Sequence, residues 1–248
     1  MEQYLIVCPL LFLAGFIDAI AGGGGLISLP ACMLAGLPVH LAIGTNKLSV
    51  LMGEATSTVQ YARSGYVNWK RALVGAGVTL IASMIGANLS LLIPDRIFQI
   101  IMLILLPLIA IYVLRAKSLE EQKTEYSEVK TMVLYILIAF VMGVYGGFYG
   151  PGTGTFLLLL LTGAAHVSLR EAAGTTKVIN FVVDLVSIII FSQAGQVLLP
   201  LGLTAGVFSM AGNYIGARFF TQKGAKFVKP LICVVLVIFF IKIIYGLL

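Results

Sequence analysis

Apolar stretches of about 18–22 residues recur from one end of this 248-residue chain to the other. Each is as long as a helix must be to cross a hydrocarbon core ~30 Å thick. Backbone in lipid must satisfy its own hydrogen bonds, so a spanning segment is either a helix or a strand of a closed barrel. Runs that alternate with period two are few, which argues against the barrel. Only 10% of the residues are charged and 60% are hydrophobic, whereas soluble domains carry roughly 25% charged residues. The chain has too little polar sequence for a soluble shell. It is expected to be an all-α polytopic membrane protein.

Ten apolar segments can be marked, at about 4–21, 25–38, 41–62, 71–93 and 97–114, then 131–149, 153–165, 172–192, 197–217 and 227–247. The second and seventh are short and each follows a glycine-rich break. An ungapped shift of 130 residues aligns Gly44-Thr45-Asn46-Lys47 with Gly174-Thr175-Thr176-Lys177. It also sets Glu54 on Asp184, Ser57 on Ser187, Gly65 on Gly195, and Ile85-Gly86-Ala87 on Ile215-Gly216-Ala217. Gly22 and Gly24 fall on Gly152 and Gly154. One register from residue 22 to residue 87 is an internal repeat. The expected organisation is a first repeat over 1–114, a charged cytoplasmic linker over 115–130, and a second repeat over 131–248.

The first run, Tyr4 to Ala21, has no basic n-region and leads into four glycines rather than a cleavage site, so it is expected to be retained. Cys8, Cys32 and Cys233 lie in apolar stretches without metal-ligand spacing and read as small packing residues. Five side-reversing segments per half place Arg63, Lys70, Arg71, Arg115, Lys117, Lys123, Lys130, Arg170, Arg218, Lys223, Lys226 and Lys229 on one side. Only Arg96 lies clearly in a loop on the other, with Lys242 near the C-terminal end. Basic loops are cytoplasmic, so both termini are expected outside. Re-entrant hairpins in place of segments one–two and six–seven give the same result. Either way each half crosses an odd net number of times, and the halves are inverted. The net charge of +6 is explained by these loops and does not point to nucleic acid.

Inverted repeats with interrupted helices are a recurrent design in secondary transporters, with the substrate site near the midplane. The interruptions here are Gly22, Gly23, Gly24 and Gly25, and then Gly150-Pro151-Gly152-Thr153-Gly154. Two readings fit: close helix packing through small residues, or irregular backbone lining a cavity. In the second, the N-termini of the short helices would bind an anion. Lys47 and Lys177 sit about six residues into their segments, roughly 9 Å along the axis. Either they snorkel to the headgroups or they make that cavity positive. Thr45, Asn46, Thr175 and Thr176 stand beside them. Glu54 and Asp184 follow the lysines by seven residues, on the same helical face. Asn180, Ser57 and Ser187 continue that stripe. The acids either neutralise nearby cations or exchange protons. Asp18 has no acidic counterpart, since Phe148 occupies the matching position; it would orient the first break or carry a proton.

His40 and His166 do not match across the repeat and fall near segment ends, and Trp69, Tyr66 and Tyr245 suit an interfacial belt. No Ser/His/Asp set, HExxH or Walker motif is present, and the GxGxxG-like glycines follow no strand. An enzyme is not expected, nor is a cofactor or metal.

The stretch Gly15-Phe16-Ile17-Asp18-Ala19-Ile20-Ala21-Gly22-Gly23-Gly24-Gly25-Leu26 resembles the N-terminal signature of the sulfite exporter (TauE/SafE) family of membrane permeases. Gly44-Thr45-Asn46-Lys47 resembles its second signature. Gly174-Thr175-Thr176-Lys177 and Gly212-Asn213-Tyr214-Ile215-Gly216-Ala217 look like their counterparts in the second half. The resemblance implies export or import of sulfite, sulfonates or other small sulfur-containing anions across a bacterial or archaeal cytoplasmic membrane. It singles out the glycine breaks and the Thr-Asn/Thr-Lys pairs as substrate-binding. Pro151 and Thr153 depart from the four-glycine form, so the two halves would bind unequally. The expected partners are a small anion, protons, the lipid bilayer and a second copy of the chain. Rival readings are a passive anion channel and a cation carrier using Asp18, Glu54 and Asp184.

Overall fold

The computed structural model describes residues 2–98, 100 and 126–223. Most of the fifth apolar segment and of the linker, and all of the tenth segment, lie outside the described residues. So do Cys233, Lys242 and Tyr245. The described residues form α1 (Glu2–Ala21), α2 (Gly25–Leu34), α3 (Val39–Arg63), α4 (Trp69–Leu92), α5 (Glu128–Phe148), α6 (Thr153–Gly163), α7 (Leu169–Gln193) and α8 (Leu199–Lys223). They include no strand. Taken in order across the repeat, the helices are 20 and 21, 10 and 11, 25 and 25, and 24 and 25 residues long.

By length and composition α1, α4, α5 and α7 can each cross a membrane. The outer faces of α4, α5 and α8 expose large apolar side chains such as Leu73, Ile81, Val133, Leu137, Leu203 and Val207. The interior, by contrast, holds Asp18, Lys47, Glu54, Lys177 and Asp184. This arrangement suits a hydrocarbon solvent, in which ionisable groups face the interior of the bundle.

The two short helices cannot span. At 1.5 Å per residue they are roughly 15–17 Å long, about half of the hydrocarbon core. They end at Leu34 and Gly163, sooner than the apolar segments to 38 and 165 suggest. Each folds back along its long partner. Gln3 Nε2 donates to Ala35 O at 3.1 Å, and the Tyr126 and His166 rings stack with centroids 3.9 Å apart. In both halves, the entry of the long helix therefore meets the exit of the short one. The α1–α2 and α5–α6 pairs are helical hairpins, the form a re-entrant segment takes.

The halves interleave. Helix α1 packs on α8 and its counterpart α5 on α4; α3 packs on α8 and α7 on α4; α3 and α7 pack on each other. The repeated Gly86 and Gly216 explain the first of these contacts. A Cβ at Gly86 would meet the Val144 carbonyl of α5, and one at Gly216 the Phe16 carbonyl of α1. Small residues let the backbones approach where no hydrophobic force acts between helices. Gly44 and Gly174 also mirror each other, against the Gln196 carbonyl and the Tyr66 carbonyl of the opposite half.

Charge separates along the bundle. Arg71 Nη1 meets Glu171 Oε1 at 2.8 Å, Lys70 Nζ meets Glu128 Oε1 at 3.5 Å, and Arg170 lies over the Tyr66 ring. These contacts gather the starts of α4, α5 and α7 at one end. At the other end Gln3 meets Ala35, and His40 pairs with Asp95 and with the Ser90 carbonyl.

Candidate functional site

Both helix breaks depend on backbone that glycine adopts and other residues resist. Gly22 has φ +71°, and Gly150 and Gly152 have φ +96° and +83°. Pro151 between the latter two supplies no N–H to continue a helix. Gly25 and Gly154, read from sequence as parts of the breaks, instead lie in the first turns of α2 and α6. The breaks meet at the centre of the bundle. Thr155 N–H donates to Gly22 O at 3.2 Å and Thr155 Oγ1 to Ala21 O at 2.8 Å. A Cβ on Gly154 would stand 2.7 Å from Gly22 Cα, and one on Gly25 2.8 Å from Pro151 Cα.

Helices α3 and α7 cross this seam antiparallel and exchange ion pairs. Lys47 Nζ reaches Asp184 Oδ1 at 2.7 Å and Gly146 O at 2.9 Å. Lys177 Nζ reaches Asp18 Oδ2 at 2.7 Å, Asp18 O at 2.7 Å and Glu54 Oε1 at 3.3 Å. Each lysine therefore pairs with the acid of the other half, not with the acid seven residues along its own helix. All five side chains belong to residues no more than 5% exposed. Neither lysine snorkels. Asn180 Nδ2 donates to Glu54 Oε1 at 3.0 Å and Ser57 Oγ to Glu54 Oε2 at 3.3 Å. Gly24 N–H donates to Asp18 Oδ1 at 3.1 Å, so Asp18 caps the N-terminus of α2. With three carboxylates and two ammonium groups, the fully ionised cluster carries one excess negative charge. The lysines alone would make the centre positive, as expected from sequence; their pairing removes that character.

A cavity of about 30 Å³ lies between the breaks, lined by Asp18, Gly22, Gly25, Asn46, Lys47, Glu54, Gly150, Pro151, Gly152, Thr153, Gly154, Asn180 and Asp184. That volume holds about two waters at roughly 10–15 Å³ each. Tyr149, Val50 and Val183 complete the wall. Tyr149 and Tyr145, whose hydroxyl donates to Pro151 O at 2.7 Å, were not singled out from sequence. The available signal was two aromatics immediately before the second break.

Not every expected residue reaches the cavity. Gly23, Gly24, Thr45, Thr175, Thr176 and Lys177 are absent from its wall. Thr45 instead braces the approach to α8, where its Oγ1 accepts from Leu198 N–H at 2.9 Å. Thr45→Val keeps the shape and removes the acceptor. It is expected to lower stability by about 1 kcal/mol, as loss of a helix cap does. The check is the thermal midpoint in detergent, and an unchanged midpoint would remove Thr45 from this role. Thr175 Oγ1 and Thr176 Oγ1 are buried with no hydrogen-bond partner.

Interrupted helices meeting at a buried charged cavity inside an apolar-faced bundle define a multi-pass membrane transporter, and the comparisons agree. The sulfite exporter TauE/SafE family profile matches residues 7–243, and the chain belongs to that family. It is 37% identical to the "Probable membrane transporter protein ORF9" of Sinorhizobium sp, over 90% of this chain and 85% of that one. It is 31% identical to a "Probable membrane transporter protein" of Haemophilus influenzae, over 95% and 92%. It is 30% identical to the "Probable membrane transporter protein YfcA" of Escherichia coli, over 94% and 87%. The family and these names describe transporters, not enzymes. No solved structure matches.

Proposed function

We propose that the protein is a proton-coupled secondary transporter of a small sulfur-containing anion such as sulfite or an organosulfonate. It would work by alternating access in a bacterial or archaeal cytoplasmic membrane, with both termini outside. The observation that carries the reading is the pair of crossed lysine–carboxylate contacts closing over a cavity where two helix breaks meet. Each contact joins the two repeats, so parting the halves on either side must break one of them. The orientation is supported by Arg63, Lys70, Arg71, Lys130, Arg170 and Arg218, all carried by the helix ends at one end of the bundle. The family name supports the substrate class.

Charge balance supports the coupling. An anion entering a cluster with one excess carboxylate meets repulsion, and one proton cancels that excess. Bound anion and bound proton should therefore favour each other, as reciprocal linkage demands. The excess carboxylate also favours a second reading, a cation carrier that uses Asp18, Glu54 and Asp184 with the lysines as counter-charges.

Proteoliposomes decide between them. Sulfite should accumulate several-fold above equilibrium when a pH gradient is imposed, and collapse of the gradient should release it. Accumulation of a monovalent cation with no anion flux would replace the first reading by the second. Ohmic conductance without accumulation would mean a channel.

A further inference from the structure

The two breaks are alike in backbone and unlike in charge. At the first, the Asp18 carboxylate already occupies the positive end of a short helix through Gly24 N–H. At the second, the matching position is Phe148, whose ring packs on Phe98 with centroids 5.3 Å apart. Both short helices have a glycine at the N-cap, which has no side chain to cap with, so the difference lies in the Asp18 carboxylate held by Gly24 N–H and the apolar Phe148 in its place at α6. This helix end therefore lacks the internal anion that its counterpart has.

Side chains at the two breaks divide the same way. Asn46 lines the cavity, is 6% exposed, and its amide oxygen has no hydrogen-bond partner. No described residue hydrogen-bonds its amide nitrogen either. Lys47 Nζ lies beside the second break, 2.9 Å from where a Cβ of Gly150 would stand. The repeat partner of Asn46 is Thr176, which does not reach the cavity. Around the first break, Asp18 and Glu54 share the Lys177 ammonium, leaving one negative charge on that trio.

We infer that the half-sites divide the work, the anion docking at the second break on the α6 N-terminus, Asn46 and Lys47, and the proton being held by the Asp18–Glu54 pair. This rests on the proposed anion transport and assigns its two ligands to different residues. The anion competes with Asp184 for Lys47. The proton cancels the charge left on the trio. Lys177 and Asp184 from α7 are the charged groups facing that pair, Lys47 from α3 lines the same cavity but pairs with Asp184, and the Tyr61 hydroxyl nearby donates to Ala19 O. Asn180 Nδ2 supplies the neutral hydrogen bond.

The test is sulfite titration of the purified full chain by calorimetry, in buffers of different ionisation enthalpy so that protons are counted. Wild type should take up about one proton per anion bound. Asp18→Asn removes the charge and keeps one oxygen for Gly24 N–H, leaving the Lys177 ammonium to Glu54 Oε1 and the Asp18 main-chain carbonyl. It should still bind sulfite, with proton uptake near zero and the pH dependence of affinity flattened. Asn46→Ala should lose roughly tenfold or more in affinity, the cost of a missing hydrogen bond to a charged group, with proton uptake per anion retained. Thermal midpoints of both variants verify folding; if Asp18→Asn fails to fold, Glu54→Gln serves the same purpose. Unchanged affinity in folded Asn46→Ala, or persistent proton uptake in the uncharged variant, overturns the division while leaving anion transport standing. No binding of sulfite, thiosulfate or sulfoacetate by wild type overturns the transport reading and the division with it.

Discussion

Lys177→Met should destabilise the protein by about 3–5 kcal/mol, the usual result when one partner of a buried ion pair is removed. The methionine keeps the length of the side chain but leaves Asp18 and Glu54, 5% and 1% exposed, facing each other without a cation. It also strips a donor from Asp18 O. Adding Asp18→Asn and Glu54→Gln to Lys177→Met should recover most of the loss, since the buried charge is then gone. Lys47→Gln and Asp184→Asn should behave the same way: each costly alone, less than additive together. The measurement is denaturant or thermal unfolding in detergent, arranged as a double-mutant cycle. Coupling near zero for Lys47 with Asp184, or coupling of Lys47 with Glu54 instead, would refute the crossed pairing. A practical consequence follows for ligand work. Single lysine-to-glutamine variants perturb folding and binding at once, so only the charge-balanced doubles test the lysines as anion ligands.

Gly22→Ala is expected to cost about 2–5 kcal/mol and to abolish transport. Two independent penalties combine. A left-handed backbone costs a non-glycine residue roughly 1–2 kcal/mol, and overpacking a filled interior costs about 1–3 kcal/mol more. The added methyl would fall on the Gly154 backbone of the opposite half, so it pushes on the seam along which the halves must part. Gly36→Ala separates the two penalties. Gly36 has φ +83° but nothing within 4 Å of its absent Cβ, so it should show the conformational cost alone. If both variants melt at the same temperature, the contact between the breaks is looser than described.

Membrane character, the repeat and the identity of the central ionisable residues were all legible in the chain. The reason is that each leaves a one-dimensional trace. Span length shows as a run of apolar residues, duplication as a fixed shift, and a shared helical face as spacing by seven. The breaks were legible too, because only glycine tolerates the backbone they need at Gly22, Gly150 and Gly152.

Partnership was not legible. Lys47 and Glu54 share a face of α3, and so do Lys177 and Asp184 on α7, and that spacing looks the same whether the charges pair within a helix or between helices. Only the antiparallel crossing of α3 and α7 decided it, by laying Lys47 against Asp184 and Glu54 against Lys177. The same limit hid the use of Thr45 as a cap for Leu198 N–H and of Asp18 as a cap for α2. Sequence alone determined which ionisable residues stand within apolar segments, and left open whether the two lysines snorkel or stay inside. Tertiary structure decided which charge each one meets there, because ion pairing depends on distances of a few ångströms between segments far apart in the chain.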